Sequence, residues 1–298
     1  MSAAWLWLVL AASADQKKVD IARGTPAWDF DIRWVDADGE RHRAQFSLPA
    51  SGVRADLDEP LRYRKKEASR EAAQAVRAFG QTKPGVDLRA RVTDDGGILI
   101  SASGKKRSRV KAVLATAEGV RDEALSAYQD ENGWATLDGE IIPDHTGHAS
   151  SYADDLAPLV TALGGPTPDP RDFAELALGF VQSIPYEKRA MVRDRFRRPL
   201  SVLGRNKGDC DSKSTLYLGL MRSAYPTLPL AMVYVPNHAF VALGLDREGG
   251  DATLKHGGQR WVIAEPTGPA MLPLGDAGKK SKRRARFGMF KALVVDRG

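Results

Sequence analysis

The one thiol of this chain, Cys210, sits in Lys207-Gly208-Asp209-Cys210-Asp211-Ser212-Lys213-Ser214, where a loop gives way to an apolar-striped helix. A thiol at a helix start is placed for nucleophilic chemistry, because the helix dipole and unpaired amides there favour thiolate over thiol. Asp209 and Asp211 act the other way, since nearby negative charge raises a thiol pKa, so a cation or a base must compensate. A cysteine nucleophile needs a base to take its proton and a third group to orient that base. Of five histidines, His42 falls in an N-terminal hairpin, His145 and His148 in a Gly- and Pro-rich connector, and His256 in a Gly-rich loop. His238 opens a strand in Pro236-Asn237-His238-Ala239-Phe240 and is the candidate base. If 239–245 and 261–264 form a hairpin, a register setting His238 opposite Glu265 leaves Asp246 to Gly257 as its loop, with glycine pairs to turn it. Opposed residues share a face, which makes Glu265 the candidate acid. Asp246 lies eight residues along the same strand from His238, roughly 26 Å away and out of reach. The Cys210 amide is a candidate oxyanion donor. Gln182 is either a second donor or a capping or packing residue.

The surrounding elements follow from periodicity. Phe30, Ile32 and Trp34 alternate with polar residues, and Asp36-Ala37-Asp38-Gly39 turns this strand into a second one over 43–48. A helix over 67–79 ended by Gly80, strands at 86–92 and 98–101, and a helix over 108–128 come next. Residues 15–130 therefore read as a small α+β domain, and 131–164 as a connector with one helical piece at 152–163. Residues 165–298 read as a second domain. It holds a helix over 171–183, the cysteine helix with Leu216, Tyr217, Leu220, Met221 and Ala224 on one buried side, and strands at 230–235, 239–245 and 261–264. The fold class expected is α+β, with the cysteine helix packed on an antiparallel sheet.

Residues 1–14 are apolar and close on Ala12-Ser13-Ala14, the pattern of a signal-peptidase site, so the expected location is the periplasm or outside the cell. The run is too short to span a bilayer, and no transmembrane segment is expected in the mature chain. One unpaired cysteine in an oxidising compartment is either inert or functional. The formal charge of +6 is modest, and its densest run, residues 279–286, reads as a solvated loop before the last strand. No aromatics interleave these cations, and nucleic acid is not an expected partner. His145-Thr146-Gly147-His148 lacks further ligands at metal spacing and reads as a polar loop. Gly104-Lys105-Lys106 lacks the spacing of a phosphate loop, and no Gly-x-Ser-x-Gly occurs.

Nucleophile on a helix start, base at one strand start and acid at the neighbouring strand end, in the order Cys, His, acid, resembles the transglutaminase-like superfamily with its papain-like core. Gly208-Asp209-Cys210-Asp211 is most similar to the signature of bacterial transglutaminase-like cysteine proteinases. Residues 180–186, Arg198-Pro199, 237–241 and 261–267 add to the likeness, which covers about 165–275. The resemblance implies that Cys210 attacks an acyl carbonyl of a protein or peptide, His238 shuttles the proton, and Glu265 orients His238, where the family more often has Asp. It requires no cofactor. Some of these proteinases bind Ca²⁺ through the acids flanking the cysteine, here Asp209 and Asp211; otherwise Asp209 caps the helix and Asp211 lies in its first turn. Hydrolysis, amine transfer that cross-links Gln to Lys, and a non-catalytic scaffold are the functional alternatives, in that order.

Overall fold

The structure, a computed structural model, describes residues 16–187 and 196–295. The apolar stretch 1–14 lies outside them. The chain divides into two compact units, residues 61–144 and the remainder.

The chain opens with an antiparallel sheet of β1 (Gln16–Arg23), β2 (Ala27–Val35) and β3 (Arg41–Pro49), followed by helix α1 (Ala50–Asp58). The expected hairpin forms with Phe30 opposite Phe46, and their rings stack at 4.7 Å. Its apolar face carries Trp28, Phe30, Ile32 and Trp34 into a core shared with Phe180 and Leu200. Trp34 meets Phe180 edge-on at 5.3 Å. This packing overturns the expected boundary near residue 130: the hairpin belongs to the same unit as the cysteine helix.

The unit of residues 61–144 is built from α2 (Lys65–Gln81), β4 (Val86–Val92), β5 (Ile98–Gly104), α3 (Arg107–Glu131), β6 (Trp134–Leu137) and β7 (Glu140–Pro143). Gly80 does not end α2. It lies within the helix, and a Cβ there would stand 2.9 Å from Leu88 Cβ, so glycine lets β4 approach. Ala73, Val76, Leu88, Ala90, Val113 and Ala117 make the core.

The rest of the larger unit begins with α4 (His145–Ser151) and α5 (Ala153–Ala162), so most of the expected connector is folded. Helices α6 (Pro170–Ser183), α7 (Pro199–Arg205) and α8 (Cys210–Ala224) precede strands β8 (Leu230–Val235), β9 (His238–Leu243), β10 (Thr253–His256) and β11 (Gln259–Ala264). Helix α9 (Lys279–Arg286) and strand β12 (Lys291–Val294) close it, and the five strands form an antiparallel sheet in the order β10-β11-β9-β8-β12. The basic run at 279–286 is thus a helix, seated by buried Ser281 and Ala285, and not a loop. Helix α8 departs from the one-sided expectation: Ser212 to Arg222 are all buried, because α4, α5, α6 and α7 as well as β8 and β9 pack around it. Of its polar side chains, Thr215 Oγ1 donates to Asp211 O at 2.9 Å and Arg222 Nη2 to Val295 O at 3.2 Å. Overall the protein is α+β, and no helix among the described residues is long and apolar enough to cross a membrane.

Candidate active site

Cys210 is the first residue of α8 and is half-buried. The N-cap is Asp209, whose Oδ1 accepts from Ser212 N at 3.3 Å and from the Ser212 hydroxyl. Upstream, Gly208 N donates to Pro185 O at 3.3 Å and Glu187 N to Gly208 O at 3.0 Å, which ties the Pro185–Glu187 segment to the loop before the cysteine. A capped helix start with its loop pinned on one side fixes where the sulfur can stand.

The base and the acid meet. His238 Nε2 lies 2.7 Å from Glu265 Oε2, with Glu265 buried and His238 about a quarter exposed at 24%. The register that brings them together is not the expected one. Strand β11 pairs with β9 as Val262 to Leu243 and Ala264 to Val241, a shift of two residues that sets Glu265 diagonal to His238. Within the connection expected as loop, Thr253–His256 forms strand β10, paired on the far side of β11. An even shift leaves every side chain on its own face, and the diagonal neighbour is within reach of a long side chain. Glutamate has that reach. A carboxylate only accepts, so its bond to Nε2 puts the ring proton there and leaves the Nδ1 lone pair as the basic site.

The sulfur receives the Ala239 and Asp211 backbone N–H groups, which brings Cys210 to the residue after His238. It makes no hydrogen bond to the His238 ring, and the thiol faces Asp211 Oδ1 at 4.0 Å. Burial first, and then the Asp211 charge, push the thiol up to about 12, so the resting side chain is a neutral thiol. The helix dipole does not overcome these two effects.

Asp211 has a partner that spacing did not reveal. Buried His145 sets Nε2 3.6 Å from Asp211 Oδ2, and its Nδ1 lies 2.7 Å from the Tyr234 hydroxyl. Phe196 closes edge-on over the imidazole at 4.8 Å. Burial would raise the Asp211 carboxyl, but His145 and the bonds it accepts hold it below the ordinary value. The connector histidine read as a polar loop residue is therefore part of the site's second flank. No local pattern marks it, since Tyr234 lies 89 residues away in the chain.

Two expected roles do not fit the geometry. Gln182 is buried, and its Nε2 donates to Glu265 O and to Leu272 O, each at 2.9 Å. Both amide hydrogens are thus taken, and Gln182 braces the Glu265 backbone from behind without facing an oxyanion. Asp209 caps α8 and Asp211 faces His145, and among the described residues no group of three or more His, Cys, Asp or Glu side chains could hold a metal ion. Both flanking acids are thus engaged within the protein, one as a helix cap and the other with His145.

No family model, curated protein or solved structure matches this chain.

Proposed function

We propose that this protein is an exported cysteine enzyme of transglutaminase-like type that transfers the acyl group of a protein or peptide amide, with water as acceptor. The observation that carries the reading is the His238–Glu265 pair at 2.7 Å, beside a cysteine at a capped helix start whose sulfur takes the Ala239 amide. The thiol proton passes to His238 Nδ1 as the sulfur attacks the acyl carbon. The imidazolium then protonates the departing amine, and the C–N bond breaks to leave a thioester on Cys210. Water, deprotonated by the same nitrogen, adds to the thioester and releases a carboxylate and the free thiol. Because the resting thiol is neutral, its proton transfer belongs to the attack itself; catalytic hydrogen bonds of this kind commonly tighten only with substrate bound. The unpaired helix-start amide of Cys210 is a donor for the oxyanion.

Acylation by p-nitrophenyl acetate, with the adduct located by mass spectrometry, tests the proposal. The adduct is expected on Cys210, absent in Cys210→Ala and formed roughly 10² to 10⁴-fold more slowly in His238→Ala. Adding a primary amine to a peptide substrate separates hydrolysis from amine transfer by the product formed. A folded wild-type chain that never acylates at Cys210 would sink the enzyme reading. It would leave the binding-module alternative, which the raised thiol pKa and the unmade sulfur–imidazole bond favour.

A further inference from the structure

We infer that Lys213 is a positioning residue for this site: its ammonium group ties the end of α6 and the Glu265–Gly268 segment to the first turn of α8, so that nucleophile and acid keep one geometry. The inference rests on the enzyme reading above for its catalytic consequence.

Lys213 lies one turn beyond Cys210 and is fully buried at 0% exposure. Burying an ammonium group costs several kcal/mol unless its hydrogens are all used. Here they are: Nζ donates to Ile184 O and Thr267 O, each at 2.6 Å, and to Gln182 O at 3.2 Å. These carbonyls belong to different segments, Gln182 and Ile184 at the C-terminal end of α6 and Thr267 two residues after Glu265. A methionine would fill the same volume without the desolvation cost, so packing does not account for a lysine here.

The pocket is shaped for that side chain. A Cβ on Gly208 would come 2.9 Å from Lys213 Cγ, and one on Gly268 would come 2.6 Å from Gln182 O and 3.3 Å from Nζ. Gly268 also has φ +64°, which other residues rarely adopt. Both glycines therefore leave room for the lysine at its base and at its tip. Gln182 adds a second tie to the same segment through Glu265 O. Glu265 Oε1 is buried with no hydrogen-bond partner, while Oε2 serves His238. Lys213 is the cation that acts on this carboxylate from inside the protein. It thus helps to hold the place of the group that sets the His238 tautomer.

Among the described residues, three elements bring groups near Lys213. The α6 end presents carbonyls, the β11 end presents Glu265, and α8 itself carries Asp209, Cys210 and Asp211. Burial lowers the Lys213 pKa to about 7, opposed by Glu265. Above that pH the neutral amine keeps two hydrogens for three carbonyls.

The test is the rate of Cys210 acylation by p-nitrophenyl acetate as a function of pH, together with ¹⁵N spectra of the histidine ring. In the wild type the rate should fall as pH rises through about 7, and the His238 signal should show the Nε2–H tautomer. In Lys213→Met and Lys213→Gln with native circular dichroism, acylation should be roughly 10²-fold slower, the alkaline limb should vanish and the tautomers should mix. A folded variant with the wild-type rate, limb and tautomer overturns the inference. If neither variant folds, the wild-type profile decides, and the absence of an alkaline limb overturns it. Failure of the enzyme reading looks different, since wild-type Cys210 would then not acylate at any pH.

Discussion

The two units of this molecule bury different things. Among the described residues, the unit of 61–144 buries alanine, valine, leucine and aromatic side chains, and its buried polar groups, Ser69 and Gln129, are uncharged. The larger unit buries Asp56, His145, Arg171, Lys213, Arg222 and Glu265 as well as its apolar core. Apolar burial suffices to hold a fold of this size, and buried charge costs more than it returns unless every donor and acceptor is matched. Where a protein buries acidic or basic side chains at six positions in one unit and, among the described residues, at none in the other, geometry is being specified as well as stability. His145, Lys213 and Glu265 cluster around Cys210, which is the physical argument for placing the chemistry there.

Several substitutions would break or sharpen this contrast. The largest effect is expected at Arg171, whose guanidinium meets Asp251 at 2.8 Å, Glu248 at 3.1 Å and Asp246 O at 2.9 Å. Arg171→Met strands the buried Asp251 carboxylate and should cost about 3 to 5 kcal/mol in urea unfolding. A loss below about 1 kcal/mol, the range of exposed pairs, would show that buried charge carries no structural weight. In the apolar unit, Val76→Ala removes two buried carbons from a fully buried position and should cost about 2 kcal/mol, with no change in the rate of Cys210 acylation. A changed rate would contradict the assignment of the chemistry to the larger unit alone.

Smaller effects are expected at Asp56. Tyr152 donates its hydroxyl to Asp56 Oδ1 at 2.5 Å, and Arg198 Nε lies 3.1 Å away. Tyr152→Phe should cost about 1 kcal/mol, read from the urea midpoint. Burial raises the Asp56 carboxyl above the ordinary carboxylate range, more than the Tyr152 and Arg198 contacts lower it. The folded carboxyl therefore binds its proton more tightly than the unfolded one. Its contribution is full below the unfolded pKa and is lost as pH rises through the raised folded value. Asp56→Asn should remove that part of the slope of the urea midpoint against pH, and an unchanged slope would contradict the assignment.

Much of the frame was legible because alternation and capping are local. Strands β4 and β8 match the expected spans, and His238 and Glu265 do meet, though through a register two residues from the expected one. Strand β10 was hidden because Thr253–His256, with only Leu254 deeply buried, gives little alternation to distinguish an edge strand from a loop. His145 and Lys213 were invisible for a different reason. Their partners are Tyr234, Asp211, Ile184 and Thr267, far apart in the chain, and a lysine among serines and aspartates reads as the solvated start of a helix. All-round burial of α8 was hidden in the same way, because Ser212, Ser214 and Thr215 look polar until the elements packed on them are known.

The lysine's seat has a consequence in coordination chemistry. Backbone oxygens from Gln182, Ile184 and Thr267 surround the Lys213 nitrogen as carbonyl cages surround a dehydrated monovalent ion. The side chain is then a cation on a tether, delivered to its cage by folding and held at a stoichiometry of one. Shortening the tether in Lys213→Ala leaves an open cage and a channel the length of the missing stem. Methylammonium or ammonium supplied in solution should enter it and restore part of the acylation rate, while sodium, which binds its water more tightly, should not.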